Sequence, residues 1–389
     1  MKTIKVALII FFFINFLYAN DILDKRQKDI FNSKDQKGKI QGDLTKDSWI
    51  NPLSIEADTS KSKASNSSQK IKSNKVSIGL EQDIFKSGGI YKTIKKGKVE
   101  SVLNTTLIKE EQKELLSKLY GDIINLKKID LEIKKLYYLI NSKKIQIQKN
   151  ESSYINGLID ITVLDESVIE LSDLKNQKED LNLQKIKILK EFNKYSKAKY
   201  KEVDLSFLSQ INLIEFIEKN TQIQIKKLQL NHSKLDKDIV KANYLPKVSV
   251  YGSTGYEDND IYKKNDDYYN YGLKISIPLD FNSNKNKQIA RLKTIIAKDQ
   301  LEQTKLYEKN FYEYSIKSLK FIDNKISNLD ETINRYKNLY DSVFSLYKNQ
   351  LRTIEDVQIM ENRVSSSKLD KLILQLDKKA ILNDIYSKI

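Results

Sequence analysis

The sequence predicts a mainly α-helical chain interrupted by two β-hairpins, and three observations carry that prediction. Only three Pro and eleven Gly punctuate 389 residues, and so few breaks favour a few very long helices. Apolar residues step by three or four through long stretches, as in Leu119, Ile123, Leu126, Ile129, Ile133, Leu136 and Ile140. That spacing is the seam of a packed or supercoiled helix. Two stretches switch instead to alternation and match one another at an offset of about 194–196 residues, Pro52 with Pro246 and Phe85 with Phe281. Self-similarity at that distance indicates duplication.

Residues 1–19 read as a secretory signal peptide: Lys2 and Lys5 precede a run from Val6 to Leu17 that is apolar except at Asn15, and Ala19 supplies a small residue before a cut at Asn20. The run is too short for a transmembrane helix, which needs about 20 apolar residues. Residues 20–51 form a short N-terminal segment, read as one short helix, a strap or a partly disordered stretch. The first repeat covers 52–197, with a hairpin at 52–85 and long helices at 86–197. In its hairpin Leu53, Ile55 and Ala57 alternate with Ser54, Glu56 and Asp58, a Ser/Lys loop runs from Thr59 to Asn74, and Val76, Ile78 and Leu80 return. These strands read as short. A helix is expected from about Ile90 to Asn150, then a turn containing Gly157, then a helix from about Thr162 to Tyr195.

The second repeat covers 198–389, with helices at 206–245, a hairpin at 246–282 and long helices at 283–389. Val248, Val250, Gly252, Thr254 and Tyr256 alternate with Ser249, Tyr251, Ser253 and Gly255. After a polar turn, Tyr269, Tyr271, Leu273, Ile275 and Ile277 alternate with Asn270, Gly272, Lys274 and Ser276 until Pro278 ends the ladder. Tyr251, Tyr256, Tyr262, Tyr268, Tyr269 and Tyr271 suit an interfacial aromatic girdle. The whole chain offers four strands.

The chain carries 68 basic and 52 acidic residues, a formal charge of +16. Loss of Lys2 and Lys5 with the signal leaves +14. The lysines are interleaved with acids along the helices and no basic aromatic motif appears, so nucleic-acid binding is not expected. One histidine and no cysteine leave almost no soft metal ligands and no thiol nucleophile. His232 is expected to be a solvated surface residue. Acidic pairs such as Glu110-Glu111 and Asp266-Asp267 read as solvated faces rather than an acid/base dyad. Ser87-Gly88-Gly89 lacks the Gly-Lys-Ser/Thr ending of a phosphate loop. No catalytic constellation, cofactor site or metal site is expected.

Tyr244-Leu245-Pro246 entering a strand, and a strand ending Ile275-Ser276-Ile277-Pro278-Leu279, resemble the signature of TolC-type outer-membrane efflux proteins. The first copy carries Gln82-Asp83-Ile84-Phe85 before Ser87-Gly88-Gly89, and the second-copy turn reads Arg352-Thr353-Ile354-Glu355-Asp356-Val357. The resemblance runs from about Pro52 to the C-terminus. It implies a homotrimer in which each protomer gives four strands to one 12-stranded transmembrane barrel, with a long α-helical barrel extending through the periplasm. Strand closure with sister copies also follows from physics, because unpaired edge groups in lipid cost several kcal/mol each. The number three comes from the resemblance alone.

The resemblance further implies a passive outer-membrane exit duct of a tripartite efflux or type I secretion system, localised to the outer membrane and extending into the periplasm. Its partners would be a periplasmic adaptor, docking at Gly157, Leu158, Gln350 and Leu351, and an inner-membrane pump or ABC transporter. Tyr347, Arg352 and Asp356, with Thr162, match positions that constrict the periplasmic aperture. Arg352 could link bidentately to a carboxylate, and a ring of Asp356 would attract cations. Val163 and Ile359 stand where the family has further acids, so a weaker or differently wired constriction is expected. The alternative from another class is a periplasmic coiled-coil scaffold without channel activity.

Overall fold

In the computed structural model the described residues are 22–63, 70–259 and 264–389. The expected signal peptide at 1–19, Tyr262 and the tips of both hairpins lie outside them. In chain order the elements are α1 (Lys25–Asp47), β1 (Ser54–Lys63), β2 (Lys70–Phe85), α2 (Gly89–Ile155), α3 (Ile161–Phe192), α4 (Leu213–Lys219), α5 (Thr221–Ala242), β3 (Lys247–Asn259), β4 (Lys264–Ser276), α6 (Ser283–Lys348) and α7 (Ile354–Tyr386). They fall into two units. One holds 22–31, 110–220 and 307–389; the other holds 32–109 and 221–306.

The first unit is built from α3, α4, α7 and the adjoining parts of α2 and α6. Leu119, Ile123 and Leu126 of α2 are fully buried, together with Phe216 of α4 and Ile385 of α7. The apolar seam of the sequence is therefore the core of this unit, as the 3.6-residue period requires. Irregular chain between α3 and α4 is fastened by lysines: Lys127 Nζ donates to the Val203 carbonyl at 2.6 Å and Lys379 Nζ to that of Leu208 at 2.7 Å. Asp130 receives both Lys185 Nζ, at 2.6 Å, and the Tyr200 hydroxyl, at 2.8 Å. The bonds from Lys127 and Lys379 satisfy backbone carbonyls that no regular element pairs.

A ladder of ion pairs joins α2 to α7. Lys128 meets Asp377 at 2.8 Å, Lys135 meets Asp370 at 2.7 Å and Lys149 meets Asp356 at 2.5 Å. Each seven-residue step up α2 is matched by an equal step down α7, the heptad relation of antiparallel helices. The rung between the second and third pairs falls at Ser142 and Arg363, and Arg363 is exposed. A second ladder, Lys371 with Asp330 and Lys378 with Asp323, both at 2.7 Å, joins α7 to α6. Five lysines are thus held between helices in these two ladders.

The second unit contains the sheet, α5, most of α1 and the first turns of α2 and α6. The described part of the N-terminal segment, residues 22–51, contains the 23-residue helix α1. It lies close against α2: a Cβ on Gly42 would sit 2.4 Å from that of Ser101, and one on Gly97 would sit 2.3 Å from the Lys46 backbone nitrogen. Two glycines inside helices, each disfavoured by about 1 kcal/mol relative to Ala, are explained by that close approach. Lys92 and Lys96 pair with Asp238 and Asp236 of α5, both at 2.7 Å.

The four strands form one antiparallel sheet in the order β1-β2-β3-β4. The first-copy strands are longer than the alternation suggested, with 10 residues in β1 and 16 in β2. Residues 59–63 and 70–74, read as loop because Ser, Lys and Asn give no apolar alternation, continue the ladder. Backbone pairing, not side-chain hydrophobicity, sets their conformation. His232 also departs from expectation. It is half-buried between helices with Glu100 at 3.9 Å, and burial, helped by Lys96, lowers its pKa. Glu110 is buried rather than on a solvated face. Among the described residues no helix is long and apolar enough to cross a membrane.

Candidate functional site

The two turns between the long helices lie in the first unit and share one backbone design. After α2, the Leu158 amide donates to the Ser153 carbonyl at 2.8 Å and the Gly157 amide to that of Tyr154 at 2.9 Å. After α6, Leu351 donates to Leu346 and Gln350 to Tyr347, both at 2.9 Å. This crossed pair is a Schellman closure, which needs a left-handed residue at the penultimate position. Gly157 (φ 70°) and Gln350 (φ 62°) occupy it. In both turns the next residue is an exposed leucine, Leu158 at 74% and Leu351 at 69%. All four expected docking residues therefore hold corresponding places in the repeat.

Three residues beyond each left-handed position comes a helix cap. Asp160 accepts the Thr162 amide at 2.9 Å and the Thr162 hydroxyl at 3.0 Å. Those hydrogen bonds, the backbone one first, hold the Asp160 carboxyl below its usual range. Thr162 is thus occupied with its own cap and does not meet Arg352 or Asp356. In the second turn Thr353 and Asp356 form a capping box. Asp356 accepts the Thr353 amide at 3.4 Å, and the acid near the start of α7 suits the helix dipole.

Arg352 and Asp356 are brought together, but loosely. One guanidinium nitrogen stands 4.0 Å from Asp356 Oδ2, with Arg352 well exposed. That contact is single and long, so the bidentate link is not made. The closer partner is Lys149, which the sequence did not indicate. Its ammonium reaches Asp356 Oδ1, and this hydrogen bond is the largest cause of the lowered Asp356 pKa. Within the chain Asp356 is therefore an ion-paired carboxylate. Tyr347 makes its ring contact with Phe344, centroids 6.4 Å apart.

Below Lys149, Asn150 is buried and donates to the Ser167 hydroxyl at 2.9 Å, while it accepts Gln146 Nε2 at 2.9 Å. Ser167 in turn donates to the Val163 carbonyl at 3.0 Å. This small satisfied network ties α2 to α3 near their shared turn. Polar residues in an otherwise apolar seam were the only sequence trace of it.

In the other unit, strand register sorts the sheet into two faces. Direct partners lie on the same face, so Ile55, Ile78, Thr254 and Tyr269 form one row, and Leu80, Gly252 and Tyr271 the next. Ala57, Val76 and Tyr256, then Val250 with Leu273 and Val248 with Ile275, complete an apolar face. The opposite face carries Ser77, Glu81, Asp83, Ser249, Ser253, Asn270 and Lys274. Of the five candidate girdle tyrosines among the described residues, Tyr256, Tyr269 and Tyr271 share the apolar face. Tyr251 and Tyr268 do not: Tyr251 pairs with Glu81 and Gly272, and Tyr268 with Gly255, on the polar side. Alternation by two permits no other outcome.

The apolar face is open to its surroundings, with Tyr269, Tyr271, Leu273 and Ile275 each more than 70% exposed. From Val248 to Tyr256 it extends about 26 Å along the strand at 3.3 Å per residue. Phe85 and Phe281, partners in the sequence repeat, are exposed near the helical end of the sheet. An aromatic pair there complements the tyrosines towards the opposite end. Among the described residues no group of acids and histidine is arranged to hold a metal ion.

Comparison of sequences finds no matching family model and no matching curated protein. Comparison of folds finds several solved structures. CusC, described with transmembrane channel formation, superposes with a TM-score of 0.75 at 12% identity, over 94% of this chain and 89% of that one. VceC, an outer membrane protein of Vibrio cholerae, gives 0.73 at 11%, over 92% of each chain. The Campylobacter jejuni outer membrane channel CmeC gives 0.73 at 15%, over 96% of this chain and 84% of that one.

The chain has the TolC-type fold. The chain's four strands and its two pairs of long helices, α2 with α3 and α6 with α7, make up that fold. In this chain Lys149 sits on Asp356 while the turn keeps its closing backbone hydrogen bonds.

Proposed function

We propose that this protein is the outer-membrane exit duct of a tripartite efflux or type I secretion system, a passive homotrimeric channel that crosses the outer membrane and extends into the periplasm. The observation that carries this reading is the sheet: one face is apolar and exposed, the other is polar, and the edges β1 and β4 are left open. In lipid each unpaired edge group costs several kcal/mol, so four strands persist only by closing with further copies. Three copies give 12 strands, with apolar residues outward and polar residues lining the lumen, the arrangement of an outer-membrane barrel.

On this reading the chain performs no chemistry. An inner-membrane pump or ABC transporter supplies energy, and a periplasmic adaptor docks on the exposed turns at Gly157-Leu158 and Gln350-Leu351. Tyr347, Arg352 and Asp356 line the aperture, with Lys149 added to them. The similarity of fold to one protein described as an outer membrane protein and another described as an outer membrane channel supports the location and the duct.

The test is biochemical and electrical. The full chain should require detergent for extraction, cross-link as a trimer, and conduct ions in planar bilayers. Recovery as a water-soluble monomer without conductance would sink the proposal and favour a periplasmic scaffold.

A further inference from the structure

We propose that the outward sheet face ends in a docking site for the phosphate of lipid headgroups, formed by Lys61, Lys63 and Lys72. The proposal rests on the outer-membrane reading above and deepens it by naming which lipids the barrel wall would select. It starts from strand parity. Ile55 and Ala57 of β1 share the apolar face with Ile78 and Val76 of β2, and the same alternation carries Thr59, Lys61 and Lys63, with Asn74 and Lys72, onto that face. The order along the ribbon is therefore apolar, then the Ala57–Val76–Tyr256 row, then lysine.

The lysines are set against one another. Lys61 is the direct register partner of Lys72. Like charges directly opposite each other are destabilising unless an anion lies between them. Lys61, Lys63 and Lys72 are exposed, and none has an ion-pair partner among the described residues. The acids on this face, Asp258 and Asp267, sit in the rows of Asn74 and Tyr256, nearer the apolar band. Glu56 and Asp58 belong to the opposite face.

Height selects the ligand. Lys61 is four residues beyond Ala57, about 13 Å along the strand. With the tyrosine row at the hydrocarbon boundary, the ammonium groups fall at headgroup level. Whatever neutralises them must be continuous with material covering the apolar band. A lipid bearing phosphate has both parts; a nucleic acid or an acidic peptide has only the anion. Juxtamembrane lysines attract anionic lipid in just this way.

The test uses the full chain, extracted in detergent and reconstituted into phosphatidylcholine vesicles containing spin-labelled phosphatidic acid or spin-labelled phosphatidylcholine. The motionally restricted signal reports which lipid contacts the protein. We expect the wild type to prefer phosphatidic acid by at least about fivefold, and high salt to reduce the preference. Lys61→Gln/Lys63→Gln/Lys72→Gln should abolish it while insertion stays unchanged, and the triple Lys→Arg variant should restore it. Equal association of both lipids with the inserted wild type, an unaltered preference in the Gln variant, or competition by inorganic phosphate that leaves the lipid contact non-selective would each overturn the site. A wild type that enters neither vesicle and stays soluble would overturn the outer-membrane reading, and the site with it.

Discussion

The turn after α2 and the turn after α6 make the same two closing hydrogen bonds, place a leucine outward at the same step, and start the next helix three residues later. They differ in what holds that backbone. The first uses Gly157 at the left-handed position and a self-contained Asp160–Thr162 cap. The second uses Gln350 there and a capping box whose acid also binds Lys149 on another helix. Duplication has kept the hydrogen-bond accounting of the helix ends while the side chains diverged. One turn closes on itself, whereas the other is anchored across helices.

The difference can be broken most sharply at the first turn. Gly157→Val places a β-branched residue at φ 70°, where even an unbranched L-residue costs about 1–2 kcal/mol. We expect a loss of about 2 kcal/mol or more of local stability, read as faster hydrogen exchange across 153–160. Unchanged exchange there would show that the turn does not depend on glycine.

Next in size is Asp356→Ala, which removes both the box and the Lys149 partner and should cost about 1–2 kcal/mol. Asp160→Ala should loosen only the start of α3. Exchange protection in α2 around Lys149 separates the two: it should fall in the first variant and hold in the second. The same link predicts a pH dependence. The folded Asp356 pKa lies below its unfolded value, so the stabilisation is complete above about pH 4 and is lost as pH falls through the lower, folded value. In Lys149→Met the acid limb should move back towards about pH 4, measured by titrating exchange at the start of α7.

The smallest expected effect has the opposite sign. Gln350→Gly removes the left-handed penalty and should stabilise the second turn by about 1 kcal/mol, making it behave like the first. Conductance or adaptor binding that changes with this substitution alone would show that strain at Gln350 is used.

How far the sequence reveals these features depends on the distance over which each is determined. Helix positions were legible because the period from Leu119 to Ile140 is local. The assignment of Tyr251 and Tyr256 to opposite faces follows from alternation alone. The length of the first ribbon was not legible, since Ser60, Lys61, Ser62 and Lys63 carry no apolar signal and owe their conformation to β2. Lys149 was hidden for a stronger reason: its partner lies 207 residues away, and no local pattern encodes that meeting. Gln350 was hidden because glutamine gives no sign of a left-handed backbone.

The α2–α7 ladder has a consequence for movement. Its pairs recur every heptad, so sliding one helix past the other by a heptad could find new acids for old lysines. Arg363, standing opposite Ser142 on the one rung without an ion pair, forbids that exchange in both directions. Displacement one way brings it against Lys135, and displacement the other way brings it against Lys149. Ratcheting is thereby penalised, and the helices are left free to part by pivoting about a preserved alignment.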